Sequence, residues 1–320
     1  MQIVFLSARP EVLAGTLRHV RVKLPFAEQI LVITPERLRS QMQRLGVDVI
    51  TDEELLTGPG PTDHSRRNYA LRAALPGCEA VDEVFLSSDD DSRPLVALEE
   101  STFLREGRYR RYTFGHLDDW DLRTTSYDVC MLGSRAVLSL HALPRLAYAS
   151  HQPQIIDKAL LAEVSALFAP AAARAPLDEW AMYFNAAGAL HPDRFEPPEP
   201  YVTLGWPENA AAWQPLLDPG ALLIENTFLE HYAPGGVFDG IDPDDTSYNA
   251  AVDKVVRWRT YELAVAAGER TAALVPPPPA GPLGLALRRA RAATVGAPRA
   301  RARAQRAAVA ATLRAYARRD

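Results

Sequence analysis

Short apolar runs alternate with longer stretches of helical spacing through the first ninety residues. Gln2 to Leu6, Gln29 to Thr34, Val47 to Thr51 and Val81 to Leu86 read as strands, rich in Val, Ile, Leu and Phe and bounded by polar positions. Between them, Glu11 to Val22 after Pro10, Pro35 to Leu45 and Ser65 to Leu75 carry apolar residues on one helical face. Such alternation predicts an α/β fold with a mainly parallel sheet flanked by helices, a Rossmann-type arrangement. Farther on the rhythm changes. Thr102 to Phe114 reads as a hairpin turning at Glu106-Gly107, and helices are expected over Ala159 to Phe168, from Leu177-Asp178-Glu179 onward, and over Ser247 to Ala267. The four prolines Pro276 to Pro279 mark a stiff linker, beyond which an Arg/Ala-rich stretch favours helix. The chain thus divides into an α/β half over 1–100, a second portion over 101–270, and a linker with helical C-terminal additions over 271–320.

Composition narrows the picture. With 48% apolar and 23% charged residues in 320, the chain can build a core, so wholesale disorder is excluded. No apolar stretch approaches the roughly 18 to 20 residues that cross a bilayer, and no leader-like pattern opens the sequence. Cys78 and Cys130 are too few for a disulfide framework or a cysteine zinc site, so a reducing cytoplasm is the expected setting. The net charge of −5 conceals an asymmetry: Gly281 to Asp320 holds ten Arg and one acid, leaving −14 on the rest. An acidic body argues against nucleic acid as a partner there. The basic tail suits peripheral contact with an anionic membrane surface, an acidic partner, or the acidic body itself.

The most informative polar feature is Asp89-Asp90-Asp91, which follows the fourth predicted strand through Ser87-Ser88. In an open α/β sheet the ligand crevice lies outside the carboxyl ends of the strands. Adjacent carboxylates repel one another and are most easily maintained around a cation, and Mg2+ or Mn2+ typically takes one or two protein carboxylates together with phosphate oxygens and water. The loop after the first strand, Ser7-Ala8-Arg9-Pro10, opens at the same end of the sheet. Arg9, Arg66, Arg67 and Arg72 are candidate cations for a departing diphosphate, and Asn68 is a candidate donor contact.

An α/β half ending in an apolar strand and Asp-x-Asp resembles the GT-A-type glycosyltransferases, which use nucleotide-sugar donors. The resemblance covers about residues 1 to 100. It implies that Asp89 and Asp91, with Asp90 between them beside the donor, hold a divalent ion bridging the donor diphosphate, and that Ser7, Ala8 and Arg9 line the nucleotide site, where Arg66 and Asn68 are the further donor-binding candidates. The second portion is then the acceptor-binding and catalytic part. Trp120, His151 and Lys158 are its candidate acceptor contacts, Trp120 within a polar aromatic patch and the other two before an amphipathic helix. Asp178 or Glu179, at a helix start, is the candidate base, and His231, before Pro234-Gly235-Gly236, is the candidate third metal ligand. The expected activity is transfer of a hexose from a GDP-mannose or UDP-hexose type donor to a carbohydrate or glycolipid acceptor. The segment His151-Gln152-Pro153 is also similar to one in the stealth-type sugar-1-phosphate transferases of capsule synthesis. That activity, a metal-dependent phosphohydrolase and a non-catalytic scaffold with a working basic tail stay open as alternatives.

Overall fold

The computed structural model describes residues 1–56, 58, 60–120, 125–148, 152–200, 202–205 and 223–267. The basic tail and His151 lie outside the described residues. A five-stranded sheet forms the centre, in the order Gln154–Asp157, β4 (Val84–Asp89), β1 (Gln2–Leu6), β2 (Gln29–Thr34), β3 (Asp48–Thr51). The strands β1 to β4 are mutually parallel, and Gln154–Asp157 runs against β4 at the edge. All five residues of β1 are buried, as a central strand covered on both faces requires. The helix Pro10–Lys23 begins with proline at its first position, where the missing N–H costs nothing, and buries Val12, Leu13, Leu17 and Val20. The molecule is therefore a mixed α/β protein with a mostly parallel central sheet flanked by helices.

The fourth strand sits three residues later than its apolar run suggests. Asp82 and Glu83 are exposed, whereas Ser87 and Ser88 are buried opposite Val4 and Phe5. Two small hydroxyl residues fit between the flanking layers, so the strand runs on into Asp89. The helix expected over Pro35 to Leu45 is broken, with a 3-10 turn at Glu36–Leu38 before a short helix at Arg39–Gln43. The predicted hairpin forms: Leu104–Arg105 pairs with Arg108–Tyr109, and Glu106 and Gly107 take φ of 51° and 77° as a tight two-residue turn needs.

Two residues after β4 the chain enters a second, smaller sheet. There β5 (Ser92–Pro94) pairs antiparallel with Leu223–Asn226, which in turn pairs parallel with Val202–Leu204. The helix Tyr248–Ala266 belongs to this unit, where Trp258, Tyr261 and Ala251 join Leu95, Leu204, Leu223 and Phe238 in a core of their own. A fully buried ion pair, Lys254 Nζ to Glu225 Oε2 at 2.8 Å, fastens that helix to the sheet.

Candidate active site

The site grows from register. β1 and β4 pair Leu6 with Asp89, so the loop after β1 and the turn after β4 emerge side by side at the carboxyl end of the sheet. Ser7 Oγ donates to Asp90 Oδ2 at 2.6 Å, and Arg9 Nε donates to the same oxygen at 3.2 Å. Arg9 Nη2 pairs with Asp90 Oδ1 and, at 2.9 Å, with Asp91 Oδ2. Thr16, about two turns into the first helix, donates to the Asp90 carbonyl at 2.5 Å. Asp90 and Asp91 are buried, while Arg9 keeps half of its side chain in solvent. Burial opposes the charge on Arg9, but hydrogen bonds and charge from Asp90 and Asp91 outweigh it and raise the guanidinium pKa. Asp90 is thus an internal clamp that fixes the first loop, and Arg9 presents a permanent positive charge over the turn.

The other side of the turn is organised by Arg72, from the helix His64–Ala74. Its Nη2 donates to Asp89 Oδ1 at 2.8 Å, its Nε to Glu179 Oε1 at 2.9 Å, and its Nη1 to Ser87 Oγ. The guanidinium lies 4.1 Å above the Trp180 ring, a cation–π seat for a buried charge. Glu179 opens the helix Glu179–Leu190, and Asp178 caps it, accepting from the Ala181 N–H at 2.7 Å. Burial, then the charges of Glu179 and Asp89, push the Asp178 carboxyl well above the usual carboxylate range. Five acids, from two distant stretches of sequence, therefore share one end of the sheet around Arg9 and Arg72.

The donor set suits a hard divalent ion. Asp89 and Asp91, paired with Arg72 and Arg9, are the carboxylates that would hold such an ion. Carboxylate oxygens are the ligand type that Mg2+ and Mn2+ take from proteins. Among the described residues no three His, Cys, Asp or Glu side chains form a metal-holding group.

Several other expected site residues stand elsewhere. His231 is buried in an aromatic nest, its ring 5.2 to 5.7 Å from those of Phe228, Phe238 and Trp258, and does not join Asp89 and Asp91. Lys158 sits at the amino end of β4, donating to the Cys78 and Val81 carbonyls at 2.9 Å, because its strand runs against β4 and ends at the far edge. Arg66 reaches back to the Arg174 carbonyl, and Asn68 bonds its neighbour His64 one turn away. Trp120 packs edge-on between Phe114 and Tyr127 and donates to Asp128. Ala8, by contrast, stays in the first loop, exposed between Ser7 and Arg9. The loop Asp239 to Asp245 is held down by Arg18, Arg93 and His19 through Asp244 and Pro243. Thr16 and the Trp180 platform carry no local signal in the sequence, since each acts on a partner more than seventy residues away. A cavity of about 470 Å³ between Arg21, Gln29 and Asp48 lies at the amino ends of β2 and β3, away from the aspartates.

No protein-family model matches the chain, and no curated protein matches it in sequence. Solved structures do match. Glucosyl-3-phosphoglycerate synthase from Mycobacterium tuberculosis, in complex with Mn2+, UDP and phosphoglyceric acid, is 12% identical over 50% of this chain, with a TM-score of 0.30. The match covers 56% of the synthase chain, little more than half its length. An active-site mutant of LgtC is 12% identical over 80% of this chain and 95% of its own, with a TM-score of 0.40. The galactosyltransferase LgtC with donor and acceptor sugar analogues gives 13% identity, the same coverage and a TM-score of 0.37. At such scores the functional reading rests on the chain's own geometry.

Proposed function

We propose that the chain is a glycosyltransferase that moves a hexose from a nucleotide sugar to a carbohydrate or glycolipid hydroxyl, with Mg2+ or Mn2+ held by Asp89 and Asp91. The observation that carries this reading is the convergence, at the carboxyl end of a parallel sheet, of three aspartates with two fixed arginines and a glutamate at a helix start. Cleaving a sugar–diphosphate bond creates an oxocarbenium-like centre and a leaving diphosphate, so positive charge must stand ready where negative charge develops. When bound, the metal ion supplies much of that charge. Arg9 adds a second positive group at the same edge, held in place by Asp90. Ser7 and Ala8 lead into the first helix, whose free N–H groups favour an anion. Glu179 is the base that takes the acceptor hydroxyl proton, with Arg72 orienting it, while Asp178, buried and capping, positions the helix.

A thermal-shift screen of GDP, UDP, ADP and TDP with and without Mn2+ tests the reading. One nucleotide is expected to raise the melting temperature only when metal is present, and Asp91→Asn is expected to abolish that rise. Release of a nucleoside monophosphate in turnover would move the assignment to a sugar-1-phosphate transferase. No shift with any of the four would remove its main support.

A further inference from the structure

Asn226 closes the strand Leu223–Asn226 and is fully buried, yet among the described residues no group bonds to either its Oδ1 or its Nδ2. Leaving both ends of a buried carboxamide without partners is costly, and in a native protein it calls for a reason. Three observations locate it. In the antiparallel ladder Asn226 is paired with Ser92, and the next residue, Thr227, donates its N–H to the Asp91 carbonyl at 2.8 Å. Alternation along the strand sends Glu225 toward Lys254 and the helix Tyr248–Ala266, so Asn226 points the other way. Ile224, on the Asn226 face, packs into the main core, whereas Leu223 packs into the small one. The carboxamide therefore looks from the small sheet toward the main body, at the level of the aspartate turn. Gly205 packs closely against this residue, for a Cβ there would fall 2.5 Å from the Asn226 carbonyl and 3.1 Å from its Cβ.

We propose that Asn226 binds a hydroxyl of the transferred sugar and helps to select which hexose is accepted. A carboxamide has both a donor and an acceptor to satisfy. Phosphate oxygens at neutral pH only accept, so a diphosphate would leave Oδ1 unmatched, and a metal ion would leave Nδ2 unmatched. A hydroxyl both donates and accepts, and a sugar attached to a diphosphate at Asp89 and Asp91 carries several within reach of the turn. A site built to bond a hydroxyl discriminates far more strongly than an apolar wall, because the wrong sugar leaves its polar groups unpaired. This role rests on the transferase reading above and narrows it to the sugar subsite.

The test compares wild type with Asn226→Leu and Asn226→Ala, using calorimetry in Mn2+ with UDP and GDP and with the matching glucose, galactose and mannose nucleotides. The nucleoside diphosphate is expected to bind all three proteins within about twofold. The preferred nucleotide hexose should bind the variants about tenfold more weakly, the loss of one to two ordinary hydrogen bonds, and the ranking among sugars should flatten. The melting temperature of Asn226→Leu without ligand should be equal to or above that of wild type, because the leucine removes two unmatched polar atoms; a purely structural asparagine would lower it. Equal affinity of wild type and Asn226→Leu for every nucleotide hexose overturns the role and leaves the transferase reading standing. Failure of wild type to bind any of these nucleotides overturns both.

Discussion

Arg72 is the residue on which the acidic end of the sheet depends. It is almost fully buried and faces Asp89 and Glu179 at once, two carboxylates that without it repel across a poorly solvated gap. Removing one partner of a buried charge cluster leaves the others uncompensated, so Arg72→Met is expected to cost about 3 kcal/mol in urea unfolding. Asp178 behaves in the opposite sense. Its raised pKa means that the folded protein holds a proton which the unfolded chain releases above the ordinary value of 3.8. Its contribution is complete below that pH and is lost as pH rises toward the folded value. Asp178→Asn keeps an acceptor for the Ala181 N–H and cannot ionise. The variant should match or exceed wild type in urea midpoint at about pH 8, and the gain should vanish near pH 4.

At the scale of elements, the small sheet is tied to the main body by buried polar contacts. His19, on the first helix, stands between the carbonyls of Pro94 and Pro243 and is lowered to about 4, first by burial, then by the charges of Lys254 and Arg93, against the pull of Glu225. A depressed histidine contributes stability that is complete above its ordinary value of 6.5 and is lost as pH falls toward 4. At about 1.4 kcal/mol per unit, this single group accounts for roughly 3 kcal/mol of acid destabilisation, which His19→Phe should remove from the slope of stability against pH. Burial opposes ionisation of Glu225, yet Lys254 and the Tyr232 hydroxyl keep its pKa below the usual range. Lys254→Met alone should cost about 4 kcal/mol, and most of that should return in the double variant Glu225→Leu, Lys254→Met. Little of this was legible in the sequence. Apolar runs disclosed β1 and β2 because a doubly covered strand is apolar nearly throughout, but Gln154–Asp157 was hidden because its buried Gln154 and Asp157 are satisfied by Tyr112 and Tyr109, far along the chain.

In the whole molecule, the aspartates and the first loop could be read beforehand because chain order and strand ends alone bring them together. Asp178 and Glu179 were candidates only as a helix start, and it is folding that sets them beside Asp89, through an arginine more than a hundred residues upstream. His231 misled for the reverse reason: a histidine near a glycine-rich turn looks available, whereas tertiary packing encloses it in aromatic rings. The turn has a mechanical meaning as well. β4 belongs to one sheet and β5 to the other, and only Asp90 and Asp91 lie between them. Whatever grips those two residues grips the seam of the protein, and should quieten motion on both sides of it. Hydrogen exchange should therefore slow together in β1 and in Leu223–Asn226 when Mn2+ and the cognate nucleotide are added, a response that a ligand resting on either half alone would confine to that half.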